Sequence, residues 1–234
     1  MMSADEVEVE LINELGPDLG RALFLLQNQI YELDSLNRTW RYLYVENEER
    51  FNLLQESAPD FFRSLDRILH HSLLLGISRL LDPSKTMKKS NLSMHFLTEM
   101  LPEPTKSKYT FILTKAKNAS EFARDWRNKI IAHKDFYTAF HGSNVLSSSA
   151  LKINSAIEVI VEALKKVHSD LRDTTIMLGI AQREPAESIV ELLFRGLTHQ
   201  KVEKDSFYEA VRLDWVRAEN ERFRLPDFIW SKDV

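Results

Sequence analysis

Between Pro17 and Val45 the apolar residues Leu19, Leu23, Leu26, Ile30, Leu33, Leu36, Trp40, Leu43 and Tyr44 recur at steps dominated by three and four. That is the period of an α-helix, and it persists long enough to exclude a strand. Two further runs carry the same signal. Pro59 to Leu81 is apolar on nearly all sides from Leu69 onward, as a helix buried within a bundle would be. Ser149 to Thr174 places Leu151, Ile157, Ile160, Val161, Leu164 and Val167 on one side. No strand alternation and no hairpin turn signal appears. The expected fold is all-α, a bundle of four to five long helices packed near antiparallel, with extra short helices.

Proline and glycine mark the breaks. Gly16-Pro17 separates a short acidic segment, Ala4 to Leu15, from the first long helix, and Pro17 suits a first helical turn. A shorter helix is expected over Glu48 to Gln55. Ser57-Ala58-Pro59-Asp60 reads as a helix start, with Ser57 or Ala58 near the cap. Asp82-Pro83 ends that helix, and the polar, basic stretch Ser84 to Ser90 reads as a mobile loop. Asn91-Leu92-Ser93 opens a short helix that stops before Pro102. One long helix is expected from Pro104 to about Tyr137, then a serine-rich loop over Gly142 to Ser149. A shorter helix is expected over Glu184 to Thr198. The implied organisation is an acidic N-terminal segment (1–16), a helical domain (17–199) and a C-terminal tail (200–234). The tail mixes charge with Phe207, Tyr208, Trp215, Phe223, Phe228 and Trp230, which suits docking or partner binding.

Composition narrows the function classes. A chain of 234 residues that is 44% hydrophobic and 28% charged can build its own core. There is no cysteine, so disulfides and thiolate metal sites are excluded and a cytoplasmic setting is expected. Met1 to Glu14 has five acids and no base, unlike a signal peptide, and no apolar run is long enough to span a membrane. The formal net charge of -4 argues against a general nucleic-acid coat, but not against a local basic site.

Such a site exists in the pattern. From Glu103 to Lys134 there are eight lysines and arginines against three acids. Within that stretch Arg127-Asn128 is followed by His133, an arginine and a polar neighbour with a histidine six positions on. Each type has a task in RNA cleavage. A guanidinium is permanently charged and forked, so it grips phosphate and stabilises the added charge of a phosphorane. Imidazole titrates near neutrality, so it can accept a proton from a ribose 2′-OH or give one to the leaving 5′ oxygen. The substrate supplies its own nucleophile, and no metal or other cofactor is needed. Arg124, Lys129 and Lys134 are candidate contacts to the RNA backbone.

Positions six apart on an ideal helix lie roughly 120° apart, with about 9 Å of rise. Arg127 and His133 therefore do not stack on one face unless the helix distorts or the arginine reaches. A two-fold homodimer offers a further solution, because two histidines at a shared axis supply both base and acid.

The sequence resembles the HEPN superfamily, in particular its AbiU-type abortive-infection branch. The likeness is carried by Arg127-Asn128…Ala132-His133-Lys134-Asp135. It extends to Phe51-Asn52…Ala58-Pro59-Asp60-Phe61-Phe62, to Leu74-Leu75-Gly76-Ile77-Ser78-Arg79-Leu80-Leu81-Asp82-Pro83, to Asn91-Leu92-Ser93, and to Ala186 to Leu197. It covers roughly Pro17 to Leu197. The resemblance implies a helical bundle that dimerises around the motif helix, and toxin or anti-phage activity through RNA cleavage by Arg127, Asn128 and His133. It also implies a cognate antitoxin. Some HEPN toxins carry a tyrosine two residues after the histidine, modified by a partner nucleotidyltransferase. Here that position is Asp135 and the nearest tyrosine is Tyr137. Other members lack nuclease activity, so a non-catalytic module binding RNA or a protein partner is the alternative.

The remaining polar residues read more plainly. His70-His71 are adjacent, a spacing that points two rings apart and suits a structural role better than a metal site. Arg79 and Asp82 are spaced to pair across one helical turn and to brace the site from a second helix. Asp125 and Asp135 are candidates to orient His133, although Asp125 and Lys129 also have the spacing of a surface ion pair. His95, His141, His168 and His199 are scattered without ligand spacing, and no catalytic metal is expected.

Overall fold

A computed structural model describes residues 3–132, 145–176 and 186–213, except the side chains of Ala210 and Leu213. Helix α1 (Ala4–Leu15) starts at Ser3, whose hydroxyl and the Glu6 carboxylate form a reciprocal capping box. Gly16, at φ +84°, turns the chain directly into α2 (Pro17–Tyr44), where Pro17 occupies the first turn. The two helices then pack closely. A Cβ at Gly20 would lie 2.3 Å from the Leu11 carbonyl oxygen, so only glycine fits that crossing.

Helix α3 (Glu48–Ser57) is capped by Asn47, which accepts from the Arg50 N–H at 2.8 Å. Ser57 closes α3 by donating to the Leu53 carbonyl, and Ala58 is the N-cap of α4 (Pro59–Leu80). Helix α4 crosses α2, and the Leu33 side chain fills the space above Gly76. After a capping Ser93 come α5 (Met94–Met100), α6 (Thr105–Ala119), α7 (Glu121–Trp126) and a π turn (Arg127–Ile131). Helix α8 (Ala150–Arg172) is capped by Ser149 and ends on Asp173 in the left-handed region. Helix α9 (Glu187–Leu213) leans on α3.

Helix α2 packs against α1, α4 and α8, and α6 lies along α8. Their shared core includes Leu11, Leu23, Leu26, Ile30, Leu74, Ile77, Leu97, Ile160 and Leu164, all fully buried. A smaller cluster of Leu43, Leu54, Phe62 and Ala186 fixes the start of α9 against α3. The all-α expectation holds.

Three local expectations do not hold. Ser84 to Ser90 forms a two-residue hairpin rather than an open loop, with β1 (Lys85–Thr86) antiparallel to β2 (Lys89–Ser90). Met87 and Lys88 take positive φ values of 46° and 72° at its tip. Neither is a residue that favours that region, so the usual sequence cue was missing. Asn91 secures the hairpin by donating to the Pro83 carbonyl and the Thr86 hydroxyl. Helix α9 is 27 residues long and runs to Leu213, well past the expected end at Thr198. The single long helix expected from Pro104 is broken at Ser120, whose hydroxyl donates to the carbonyls of Ala116 and Lys117. Among the described residues no helix is long and apolar enough to cross a membrane.

Candidate active site

The end of α4, helix α7 and the π turn meet at one end of the bundle. The π turn widens the helix at the motif. The Ala132 N–H bonds to the Arg127 carbonyl at 2.8 Å, five residues back rather than four. Such insertions re-aim side chains and recur at functional sites. A helix distortion, one of the ways the motif's spacing could be accommodated, is therefore present over Arg127–Ile131.

Arg127 does not point freely into solvent. One terminal nitrogen donates to both oxygens of Asp82, at 2.6 and 2.8 Å, and both side chains are 22% exposed. Its Nε donates to Asn128 Oδ1 at 3.3 Å. Asp82 thus braces the motif from the end of α4, but its partner is Arg127 and not Arg79. The expected Arg79–Asp82 pair is absent, and Arg79 is exposed. The chain turns just after α4, where the Asp82 N–H bonds to the Arg79 carbonyl, so helical spacing no longer governs that side chain.

Asp125 pairs with Lys129 at 2.7 Å, as their spacing suggested, and also accepts the Leu146 N–H at 2.8 Å. Trp126 Nε1 donates to the Leu146 carbonyl at 2.8 Å. Both backbone groups of Leu146 are therefore held by neighbouring side chains of α7. Arg124 and Asn128 are exposed. His133, Lys134, Asp135 and Tyr137 lie outside the described residues, as does His141.

Behind the motif stands an aromatic wall that spacing alone did not reveal. The His70 ring meets Trp126 edge-on at 5.2 Å and Trp40 at 5.7 Å, and its Nε2 lies 3.1 Å from the Ser148 hydroxyl. Trp40 donates to Asp66 at 2.7 Å. The His71 ring also reaches Trp126, at 6.1 Å, so the adjacent histidines converge on one indole instead of pointing apart. Burial pushes both imidazoles below their ordinary pKa. The two rings pack against α7 through Trp126.

A cleft of about 290 Å3 opens beside this constellation, lined in part by Ser78, Leu81, Asp82, Arg124, Asp125 and Asn128. Of these, Ser78 and Leu81 were not anticipated as site residues. The available signal was the four-residue step from Ser78 to Asp82, which places both near the same end of α4. Among the described residues no group of histidines and carboxylates is arranged to hold a metal ion.

The family model for AbiU2, a HEPN family, matches residues 17–191. The chain belongs to the AbiU2 family of HEPN abortive-infection proteins. Comparison with curated proteins and with solved structures finds no match. The matched span runs from the first residue of α2 into α9, and so contains the ion pair, the π turn and the cleft. Membership identifies the chain as a HEPN module of abortive-infection defence.

Proposed function

We propose that this AbiU2 protein is a metal-independent endoribonuclease acting at a composite homodimer site. The observation that carries the reading is the π turn at Arg127-Asn128, which holds a braced guanidinium beside an open cleft. A fixed cation is the group that a phosphorane needs, because its charge is already placed before the reaction begins.

In the proposed step the ribose 2′ oxygen attacks the neighbouring phosphorus and the bond from phosphorus to the 5′ oxygen breaks. The imidazole of one His133 takes the 2′ proton, and His133 of a second subunit gives a proton to the departing 5′ oxygen. Arg127 stabilises the pentacovalent phosphorus, Asn128 orients it, and Arg124, Lys129 and Lys134 hold the flanking backbone. The products are a 2′,3′-cyclic phosphate and a 5′-hydroxyl. A cognate antitoxin is the expected protein partner.

Cleavage of single-stranded RNA in EDTA, read by the cyclic phosphate end, tests this directly. Wild-type chain should cut RNA and leave the 2′-deoxy analogue intact, and both Arg127→Ala and His133→Ala should be inactive. Light scattering should show a dimer. A monomer would sink the composite site. Binding without cleavage would favour the second reading, a non-catalytic module. One observation supports that second reading: the Arg127 charge is already matched by Asp82.

A further inference from the structure

The cleft beside Arg127 holds more uncommitted hydrogen-bonding groups than phosphate binding requires. Asp82 is engaged by Arg127, and Asp125 by Lys129 and Leu146. Glu121, Arg124 and Lys117 also line the cleft, and among the described residues each lacks an ion-pair partner. Ser78 is only 5% exposed, and its hydroxyl has no hydrogen-bond partner. A buried hydroxyl left unpaired is costly and uncommon, and this one lies beneath the cleft surface, where Ser78 forms part of the wall. Asn128 spends its carbonyl oxygen on Arg127, which leaves its amide N–H groups as donors. Leu81 and Leu146 add apolar surface.

These groups suit one kind of occupant. At about 290 Å3 the cleft lies just below the usual range for ligand sites, about 300–1,000 Å3, which suits a single flat heterocycle rather than a larger ligand. An ionised carboxylate presents two acceptor oxygens side by side. Among the RNA bases guanine alone carries two adjacent donors, N1–H and the 2-amino group, on one edge. Its O6 and N7 acceptors match the lysine donor. Adenine and cytosine each place an acceptor where the second carboxylate oxygen would lie, and uracil offers a single N–H.

We propose that this cleft is a guanine pocket. Glu121 accepts from the N1 and 2-amino edge, Lys117 donates to O6 and N7, and Ser78 forms part of the wall. The pocket would select an unpaired guanine next to the phosphodiester that Arg127 grips, since sequence is read in RNA from splayed, single-stranded bases. The inference rests on the ribonuclease reading for its biological meaning, but not for its test.

Calorimetric titration of the full chain with the four ribonucleoside 3′-monophosphates tests the pocket. The guanine nucleotide should bind about tenfold or more tighter than the others, and Glu121→Gln should remove that advantage. His133→Ala should abolish cleavage yet keep the guanine preference. Equal binding of all four nucleotides, binding of none, or a preference that survives Glu121→Gln overturns the pocket. Cleavage that ignores base identity, with equal nucleotide binding, would remove the pocket and keep the nuclease. Guanine preference without any cleavage would do the reverse.

Discussion

Two arginines at different places in the bundle are each held by carboxylates, and they are held differently. Arg172, at the end of α8, is only 9% exposed and is gripped by both Glu10 and Glu14 of α1. Its Nε and one terminal nitrogen are taken up in fastening the N-terminal helix to the core. Arg127 is 22% exposed, is matched by a single carboxylate, and sits on a π turn beside an open cleft. A guanidinium with two carboxylates is a staple. A guanidinium with one, at a solvent edge, is held in place yet still available to an anion. Charge count and exposure separate the two, and residue type does not.

Exchanging their roles is the severest test of that contrast. Arg127→Ala should reduce RNA cleavage by at least about 10²–10³-fold, the cost of losing a transition-state donor, with little change in Tm. Arg172→Ala should do the opposite, lowering Tm and leaving cleavage per folded molecule unchanged. If Arg172→Ala abolished cleavage at full stability, the distinction would collapse.

The stapled end should also carry a pH dependence of its own. His168 is fully buried beside Arg172, and neither ring nitrogen has a hydrogen-bond partner. Burial, reinforced by Arg172 and opposed by Glu14, holds its pKa at about 4. The unfolded chain therefore binds a proton here at higher pH than the native chain does. The resulting penalty is absent well above pH 6.5, grows as pH falls, and is complete below about pH 4. The stability lost is about 3 kcal/mol. His168→Leu should flatten that part of the stability profile in denaturant titrations. An unchanged slope would show that the ring is protonated in the native state.

Smaller effects probe how the motif is held. Asp82→Asn keeps the shape of the brace and removes its charge. It should lower kcat about ten- to a hundredfold through misplacement of Arg127, with KM changed far less. A rise in kcat would mean that Asp82 restrains the arginine rather than positioning it. Trp126→Phe keeps the ring against His70 but loses the bond to Leu146, and should cost about 1 kcal/mol of stability. Loss of cleavage in that variant with little destabilisation would show that the 145–149 segment also positions the site.

The long helices were legible because their signals are local and repeated. Apolar spacing located α2, α4 and α8 to within a few residues, and Gly16-Pro17 marked the turn between α1 and α2. The motif residues were legible by type and spacing. Their arrangement was not. Ser120 interrupts the motif helix although its neighbours would allow continuation, and the π turn has no residue that demands it. The hairpin tip puts positive φ on Met87 and Lys88, neither a residue that announces a turn. Asp82 is three residues from Arg79 in sequence, yet it meets Arg127, 45 residues away.

By itself the sequence determined that this chain must be a helical bundle, because apolar residues at a 3.6-residue period can be buried together only on helix faces. It also determined which side chains could do chemistry, since charge, reach and titration range belong to the residue. Tertiary packing decided which of those side chains meet. It gave Asp82 to Arg127, brought two histidines onto one tryptophan, and left the Ser78 hydroxyl unpaired beneath the wall of a cleft. Such pairings depend on where helices cross and where one turn is widened. Those are set by the sum of many weak contacts across the fold, and no short stretch of sequence contains them.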